Sequence, residues 1–228
     1  MIYIGLDDTD NLESRGTGHL ARCIAAELAG MAQVVGVTRH QLLVDPRVPC
    51  TAKNSSAAIH VLPLDGTDLA SLAARVRALM LDDFQPGSDP GLCVSEGATP
   101  AIMEWGQRAK QALVRQQDAR EIAREAGVYL EGLGGTEDGV IGALAAVGLA
   151  AAGNDGRYVV VGRSRELHGL LPVEALLDAG IEAVQTEDGL PVTSGQVQIE
   201  KLRPALRGGR PVAVVRLVDG FWQPLKLD

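Results

Sequence analysis

A stretch of small apolar residues past the middle of the chain limits most strongly what this sequence can fold into. Residues 140–152 are apolar throughout and are interrupted only by Gly142 and Gly148. The stretch is shorter than the roughly 20 residues that span a bilayer, so it is predicted to be a buried helix. Its glycines and alanines would let this helix pack closely on a sheet.

Short apolar runs alternate with helical periods along the rest of the chain. Strands are predicted at residues 2–6, 33–43, 57–62, 92–94, 158–161, 181–184, 197–199 and 212–217. Helices are predicted at residues 18–28, 69–81, 100–113, 118–126, 139–152 and 172–179. This alternation predicts an α/β (α+β) fold with mixed sheets flanked by helices, and a division near the glycine-rich residues 132–135.

Composition excludes several classes of protein. Apolar residues make up 46% and charged residues 22% of the 228 residues, which is typical of a globular chain and not of a disordered one. The net charge of −8 and the 3% of aromatic residues disfavour unaided nucleic-acid binding and base stacking. No signal peptide or membrane span is apparent, so a cytoplasmic location is predicted.

The three cysteines are far apart in the sequence. Cys23, Cys50 and Cys93 form no CxxC pair, which disfavours a disulfide framework and a structural zinc site. We expect three buried or semi-buried thiols.

Three carboxylates follow the first predicted strand directly. Asp7, Asp8 and Asp10 repel one another, so they need a cation or full solvation. Mg²⁺ would suit them, because it takes one or two carboxylates together with phosphate oxygens and waters. The alternative is a solvated Asp-rich turn, which composition alone favours.

Two polar segments near these acids are candidate phosphate sites. Gly16 and Gly18 bound the start of the first predicted helix, where free N–H groups and the helix dipole favour phosphate. The spacing of a Walker loop is absent. Lys53, Asn54 and Ser55 form either a phosphate or substrate cradle or an ordinary polar turn.

The start of the small-residue helix is a third candidate. Gly139 and Gly142 could place a helix N-terminus against a ligand, with Glu137 or Asp138 nearby. A flexible loop with close helix packing is the alternative, and the chemistry alone favours it. The chain has four histidines, His19, His40, His60 and His168. They are not spaced like metal ligands, and they suggest no catalytic set of serine, histidine and acid.

Several motifs, taken in order, resemble the archaeal tRNA-isoleucine 2-agmatinylcytidine synthetase family. They are GLDDTD at 5–10 with Thr17 before a helix, DPRVP at 45–49, KNSSA at 53–57, SDPG at 88–91 and GVIGALAAVG at 139–148. The resemblance covers about residues 1–163 and is loose beyond them. It implies a kinase-like ATP-binding domain over residues 1–131 and a ferredoxin-like domain over residues 132–228.

The resemblance also implies a chemistry. In that family ATP and Mg²⁺ bind through the DDTD acids, a cytidine carbonyl is phosphorylated, and agmatine displaces the phosphate. By position, Asp7, Asp8 and Asp10 would hold the metal and the phosphates. Thr17 matches a threonine that the family can phosphorylate, and the turn from Gly139 to Gly142 would line the nucleotide or amine pocket.

Departures from the family's pattern limit what carries over. We expect the OB-fold and zinc ribbon that grip tRNA to be absent, and a serine, Ser55, replaces the glycine of the cradle.

The leading hypothesis is an ATP- and Mg²⁺-dependent phosphoryl-transfer enzyme or ligase that activates a carbonyl of a metabolite acceptor for attack by a small amine. The alternatives are tRNA cytidine modification with a separate RNA-binding partner, and a non-catalytic nucleotide-binding regulatory protein. A homodimer is among the candidate assemblies, and no membrane partner is expected.

Overall fold

A computed structural model describes residues 1–227. The first half of the chain holds β1 Ile2–Asp7, α1 Thr17–Glu27, β2 Ala32–Gln41, β3 Ser55–Pro63, α2 Leu69–Asp82, β4 Gly91–Glu96 and α3 Pro100–Gln111. The second half holds α4 Gln116–Ala126, β5 Tyr129–Gly132, α5 Val140–Ala152, β6 Arg157–Val160, β7 Gly169–Pro172, α6 Val173–Asp178, β8 Ala183–Thr186, β9 Gln196–Ile199, β10 Ala205–Arg207, β11 Arg210–Val218 and β12 Phe221–Pro224.

The strands form one mixed sheet of 12 strands. Its order is β5-β4-β1-β3-β2-β6-β10-β11-β12-β9-β7, and β8 pairs with β11 outside this path. Most neighbouring strands are antiparallel, whereas β8 with β11 and β9 with β12 are parallel. The predicted class, a mixed sheet flanked by helices, is confirmed.

Helix α5 lies directly on the first strands of the sheet and is buried almost throughout. A Cβ atom at Gly5 of β1 would lie 2.0 Å from the backbone oxygen of Ala143, and a Cβ at Gly148 would lie 2.1 Å from the Ile102 oxygen on α3. Glycines therefore allow the close backbone approach that the small-residue stretch predicted. No described helix is both long enough and apolar enough to cross a membrane.

The helix ends have local causes. Asp68 caps α2, since its side chain accepts a hydrogen bond of 2.7 Å from the Ser71 amide. Thr99 caps α3, and Pro100 occupies the first turn, where its missing N–H costs nothing. Helix α4 ends at Gly127, which adopts the left-handed conformation at φ 67°.

The hydrophobic clusters of the structure do not divide the chain at the glycine-rich residues 132–135. One cluster packs α1 and α2 on one face of the first strands, and another packs α3, α4 and α5 on the other. A further cluster begins at Tyr158 and draws its buried members only from the remaining chain. Helix α5 thus packs with the N-terminal strands although it follows residues 132–135, and the boundary at residue 131 stays a prediction.

The cysteines correct an expectation. Cys93 lies buried in β4, as predicted, but Cys23 and Cys50 are exposed, so the expectation of buried or semi-buried thiols was wrong for these two. Cys23 lies on the solvent side of α1, and Cys50 lies in the loop between β2 and β3. All three thiols are free.

Candidate functional site

A cavity of about 250 Å³ opens where β1 ends, between the β2–β3 loop and the helices α3 and α5. Its acidic end collects carboxylates from three separate segments: Asp7, Asp8, Asp10, Asp89 and Asp138. Its other wall is largely apolar and comes from Leu42, Leu43, Ala109, Ala112, Leu113, Val114 and Ile141. The cavity therefore joins a strongly acidic end to an apolar wall, and we call it the acid cavity.

Asp7 occupies the most restricted position at the acidic end. Its carboxylate packs against α5, where a Cβ atom at Gly142 would lie 1.8 Å from Asp7 Oδ2. Loss of solvation, and then the negative charge of Asp8, raise the pKa of Asp7 to about 8. Asp7 therefore holds a proton through most of the neutral pH range.

Asp8 turns the chain away from β1 and lies near three further acids. Its backbone is left-handed at φ 51°, which is uncommon for a residue with a side chain. Partial burial, then the charges of Asp89 and Asp10 and less strongly that of Asp138, raise its pKa to about 6. Raised pKa values at a cavity with a strained backbone are typical of functional sites.

Asp10 links the acids to the start of α1. Its Oδ1 accepts hydrogen bonds from the Thr17 amide at 3.3 Å and the Thr17 hydroxyl at 3.1 Å, and its Oδ2 accepts one from Thr51 at 2.6 Å. Gly16 and Gly18, predicted to bound a phosphate site, lie at this helix start, where Asp10 already satisfies the first amide. The neighbouring Thr9 hydroxyl donates to Thr17 at 3.1 Å.

The segment of Lys53, Asn54 and Ser55 also lines the acid cavity. The Asn54 side chain donates to the Leu43 carbonyl at 2.9 Å, so it closes the β2–β3 loop. Ser55 begins β3, and its hydroxyl accepts a hydrogen bond of 2.9 Å from Arg39. Two side chains of the predicted cradle, those of Asn54 and Ser55, therefore form hydrogen bonds within the protein. The ligand role of the segment stays a prediction.

The glycines at the start of α5 face the strand ends. A Cβ atom at Gly139 would lie 2.3 Å from the Asp89 carbonyl, which accepts the Gly139 amide at 3.0 Å. From this turn, Asp138 and Ile141 line the cavity. Close packing therefore accounts for Gly139 and Gly142, and their predicted contact with a nucleotide or amine stays a prediction.

The acids reach the cavity without forming a ready-made metal site. Within residues 1–227, no three His, Cys, Asp or Glu side chains converge in an arrangement that holds a metal ion. The donor set nevertheless suits Mg²⁺, because a cation would offset the repulsion that raises the pKa of Asp8 and needs only one or two carboxylates besides phosphate oxygens.

A network of buried polar side chains beside the site was not predicted from the sequence. The Thr38 hydroxyl lies 2.8 Å from His40 Nε2 and 2.9 Å from His60 Nε2, and His40 Nδ1 lies 3.0 Å from Asp155. Lys110 pairs with Asp155 at 2.5 Å. Burial lowers the pKa of both histidines, that of His60 to about 3, so both are neutral at pH 7. His40 and Asp155 are 115 positions apart in the sequence, so no local pattern could predict their contact.

Asp89 and Asp138 are the members of the acidic end that the sequence left without a metal or phosphate role. Asp89 follows a serine in a turn, and its Oδ1 accepts the Thr136 amide at 2.5 Å. The signal for both was weak, since Asp89 is a single acid in a turn with glycine and proline, and Asp138 follows Glu137 in a glycine-rich turn, where acids are ordinary. Only the pairing of β1 with β4 and the packing of α5 bring them to Asp8.

The fold and the acid cavity define a mixed α/β protein with a cluster of carboxylates at the end of its first strand. No protein-family model matches the chain. Curated relatives are the tRNA(Ile2) 2-agmatinylcytidine synthetases TiaS of Methanopyrus kandleri, 31% identical over 68% of this chain, and of Pyrococcus horikoshii, 25% identical over 65%. The resemblance drawn from the motifs is thus confirmed for about two thirds of the chain. The chain spans about 35% of the length of either relative.

Solved structures show the same fold. A tRNA fluorescent labeling enzyme superposes with a TM-score of 0.57 at 21% identity, covering 64% of this chain and 35% of that one. A complex of TiaS with tRNA(Ile2) and ATP superposes with a TM-score of 0.56 at 21% identity, covering 64% of this chain and 36% of that one. Apo TiaS gives a TM-score of 0.54 at 19% identity.

Proposed function

We propose that this protein binds ATP with Mg²⁺ at the acid cavity and transfers a phosphoryl group to activate a carbonyl oxygen for attack by an amine. The observation that carries this proposal is the convergence of five carboxylates, two of them with raised pKa values, at one end of a cavity with an apolar wall. The relationship to TiaS supports it, because TiaS has been solved with ATP and with AMPCPP and agmatine.

The acids of the cavity would have different roles because their pKa values differ. Asp8 is mostly ionised at pH 7 and, with Asp10, would hold the metal, which when bound neutralises charge on the phosphates of the nucleotide. Asp7 is protonated in the free protein and would lose its proton when a cation arrives, because opposite charge lowers a carboxyl pKa. Catalysis would rest on positioning and electrostatics.

The rest of the cavity suits the other two reactants. Lys53 lines its mouth and would attract phosphate oxygens. Thr17 would be the group that accepts or positions a phosphoryl, since its hydroxyl is fixed between Asp10 and Thr9. A cationic amine would find the acidic end favourable through Asp89 and Asp138, with its apolar stem against Ile141.

The test is nucleotide turnover by the full chain with Mg²⁺-ATP and a panel of amines, metabolites and tRNA, with products read by mass spectrometry. Asp8→Asn and Asp10→Asn are expected to reduce turnover at least about 100-fold, since each removes a charge that holds the metal. Asp65→Asn, in an exposed turn, is the matched control and should keep full turnover. Full turnover in both site variants would overturn the proposal.

A second candidate, modification of a tRNA cytidine, follows from the substrates named in the relatives. TiaS binds tRNA(Ile2) in its solved complexes. This chain spans about 35% of the length of the curated TiaS relatives, and in this candidate a separate RNA-binding partner would take part in holding the tRNA. Product formation only when tRNA is present, with a mass change on the RNA, would favour this candidate over a metabolite substrate.

A further inference from the structure

Helix α4 holds the turn that carries Asp138, one of the acids of the acid cavity. The side-chain amide of Gln116 donates to the Thr136 carbonyl at 2.8 Å and to Asp138 Oδ1 at 3.2 Å. Its side-chain oxygen accepts a hydrogen bond of 3.2 Å from Arg120 Nε. Both donors and the acceptor of the Gln116 side chain are therefore engaged, and these partners fix the orientation of its amide.

Arg120 holds the residue that precedes Asp138. Its guanidinium forms an ion pair of 2.5 Å with Glu137 Oε2. Glu137 has a left-handed backbone at φ 65°, which is uncommon for a residue with a side chain and is kept only where the surroundings hold it. A Cβ atom at Gly132 would lie 2.3 Å from Glu137 Cβ, so β5 also packs closely on this residue. Contacts from α4 and β5 thus hold the turn in an unfavourable conformation.

The turn at residues 88–91 binds the same segment from another side. The Thr136 amide donates to Asp89 Oδ1 at 2.5 Å, and the Gly139 amide donates to the Asp89 carbonyl at 3.0 Å. Asp138 lies between these two amides in the chain, so its backbone is held on both sides. Gln116 then holds the side chain, which the backbone contacts alone would leave free to rotate.

We propose that Gln116 and Arg120 are positioning residues that hold Asp138 in place to bind a cationic amine. This inference rests on the proposed function, in which Asp138 receives the amine. Gln116 binds one oxygen of Asp138, so the other can accept a hydrogen bond from an ammonium or guanidinium group. A carboxylate that is already ordered loses less side-chain entropy on binding, so the amine binds more tightly.

The amine and the nucleotide should respond differently to the loss of these contacts. In the proposed function the metal and the phosphates bind near the end of β1 and at Lys53. Gln116 and Arg120 instead bind the turn before α5. A variant of Gln116 is therefore expected to weaken amine binding and to leave nucleotide binding intact, whereas damage to the whole fold would weaken both.

Isothermal titration calorimetry of the full chain tests the proposal, with agmatine and Mg²⁺-AMPCPP as the probes. Agmatine is titrated into the protein with and without Mg²⁺-AMPCPP, and Mg²⁺-AMPCPP is titrated alone. Gln116→Met keeps the length of the side chain and removes its donors, so it is expected to weaken agmatine binding about tenfold. Arg120→Gln should weaken it about fivefold, and Arg120→Lys, which keeps the charge that faces Glu137, should weaken it less. The affinity for Mg²⁺-AMPCPP should stay within about twofold in each variant.

Gln117→Met is the matched control, because Gln117 is an exposed residue of the same type on the same helix. It should leave both affinities within about twofold. An unchanged agmatine affinity in Gln116→Met would overturn the inference. So would an equal loss in the control, or an equal loss of affinity for both probes.

Asp138→Asn shows whether Gln116 acts through the carboxylate. This variant removes the charge, so Gln116→Met should weaken agmatine binding by no more than about twofold in its background. A loss as large as in the wild-type background would mean that Gln116 acts elsewhere, and the inference would be wrong.

Failure of this inference can be told apart from failure of the proposed function. Wild-type protein that binds neither probe would reject the proposed function and, with it, this inference. Binding of Mg²⁺-AMPCPP without agmatine would reject the inference and leave nucleotide binding in place. Binding of both probes with no loss in Gln116→Met would reject the inference alone.

Discussion

Asp7→Asn is expected to raise the free energy of unfolding at pH 8 by roughly 2–4 kcal/mol and to change it little near pH 4. The pKa of Asp7 is about 8 in the folded protein against a usual value of 3.8. Between these values the folded state keeps a proton that the unfolded state has lost, so the wild-type protein loses stability as pH rises through this window. Each pH unit within the window costs the wild-type protein at most about 1.4 kcal/mol, and partial solvent access to the carboxylate reduces the total.

Urea unfolding of both proteins at pH 4.5 and at pH 8, without divalent cations, checks this expectation. Asparagine keeps the shape of the side chain but cannot ionise, so its gain should grow steadily with pH across the window. Asp65→Asn, in an exposed turn, should show no such growth. A gain that is independent of pH would mean that ionisation of Asp7 is not its cause.

Gly5→Ala is expected to destabilise the protein by about 3 kcal/mol or more. The added methyl group would lie 2.0 Å from the Ala143 oxygen and 3.1 Å from a methyl of Val147. The obstructing oxygen belongs to the backbone of a buried helix, so α5 must move off β1 as a unit. Because α5 also carries Ile141 and follows Asp138, the same shift would open the acid cavity.

The midpoint and slope of urea unfolding, followed by circular dichroism, measure this loss. Gly30→Ala is the matched control, because no atom outside its own neighbourhood lies within 4 Å of the added carbon. It should change stability by less than about 1 kcal/mol. An equally mild effect at Gly5 would show that β1 and α5 can separate at little cost.

Long periodic elements were predictable because their signals are local. The helices α2 and α5 and the strand β1 were predicted within one residue of their observed bounds, since caps, glycines and apolar periods mark them directly. The strands β5, β7, β10 and β12 were missed. Each has only three or four residues and exists because a neighbouring strand offers it hydrogen bonds.

The candidate site shows the same division. Asp7, Asp8 and Asp10 could be singled out because three acids in four residues repel one another wherever the chain places them. Asp89 could not, and Asp138 was marked only as one of two neighbouring acids near a possible ligand, since acids in such turns are ordinary until the fold brings them beside Asp8. In the expected phosphate cradle, the Asn54 side chain donates to the Leu43 carbonyl and closes its loop, and the ligand role of the segment stays a prediction.

By itself the sequence determined the class of fold, the buried small-residue helix, the acidic strand end and the relationship to the tRNA(Ile2) 2-agmatinylcytidine synthetases. Tertiary structure alone decided which of the 29 acids share a cavity and which side chains hold them in place. The physical reason is the distance along the chain over which each effect acts. Hydrophobic period, capping and repulsion between adjacent charges act over a few residues, whereas pKa values and charge clusters depend on distances in space that only strand pairing and helix packing set.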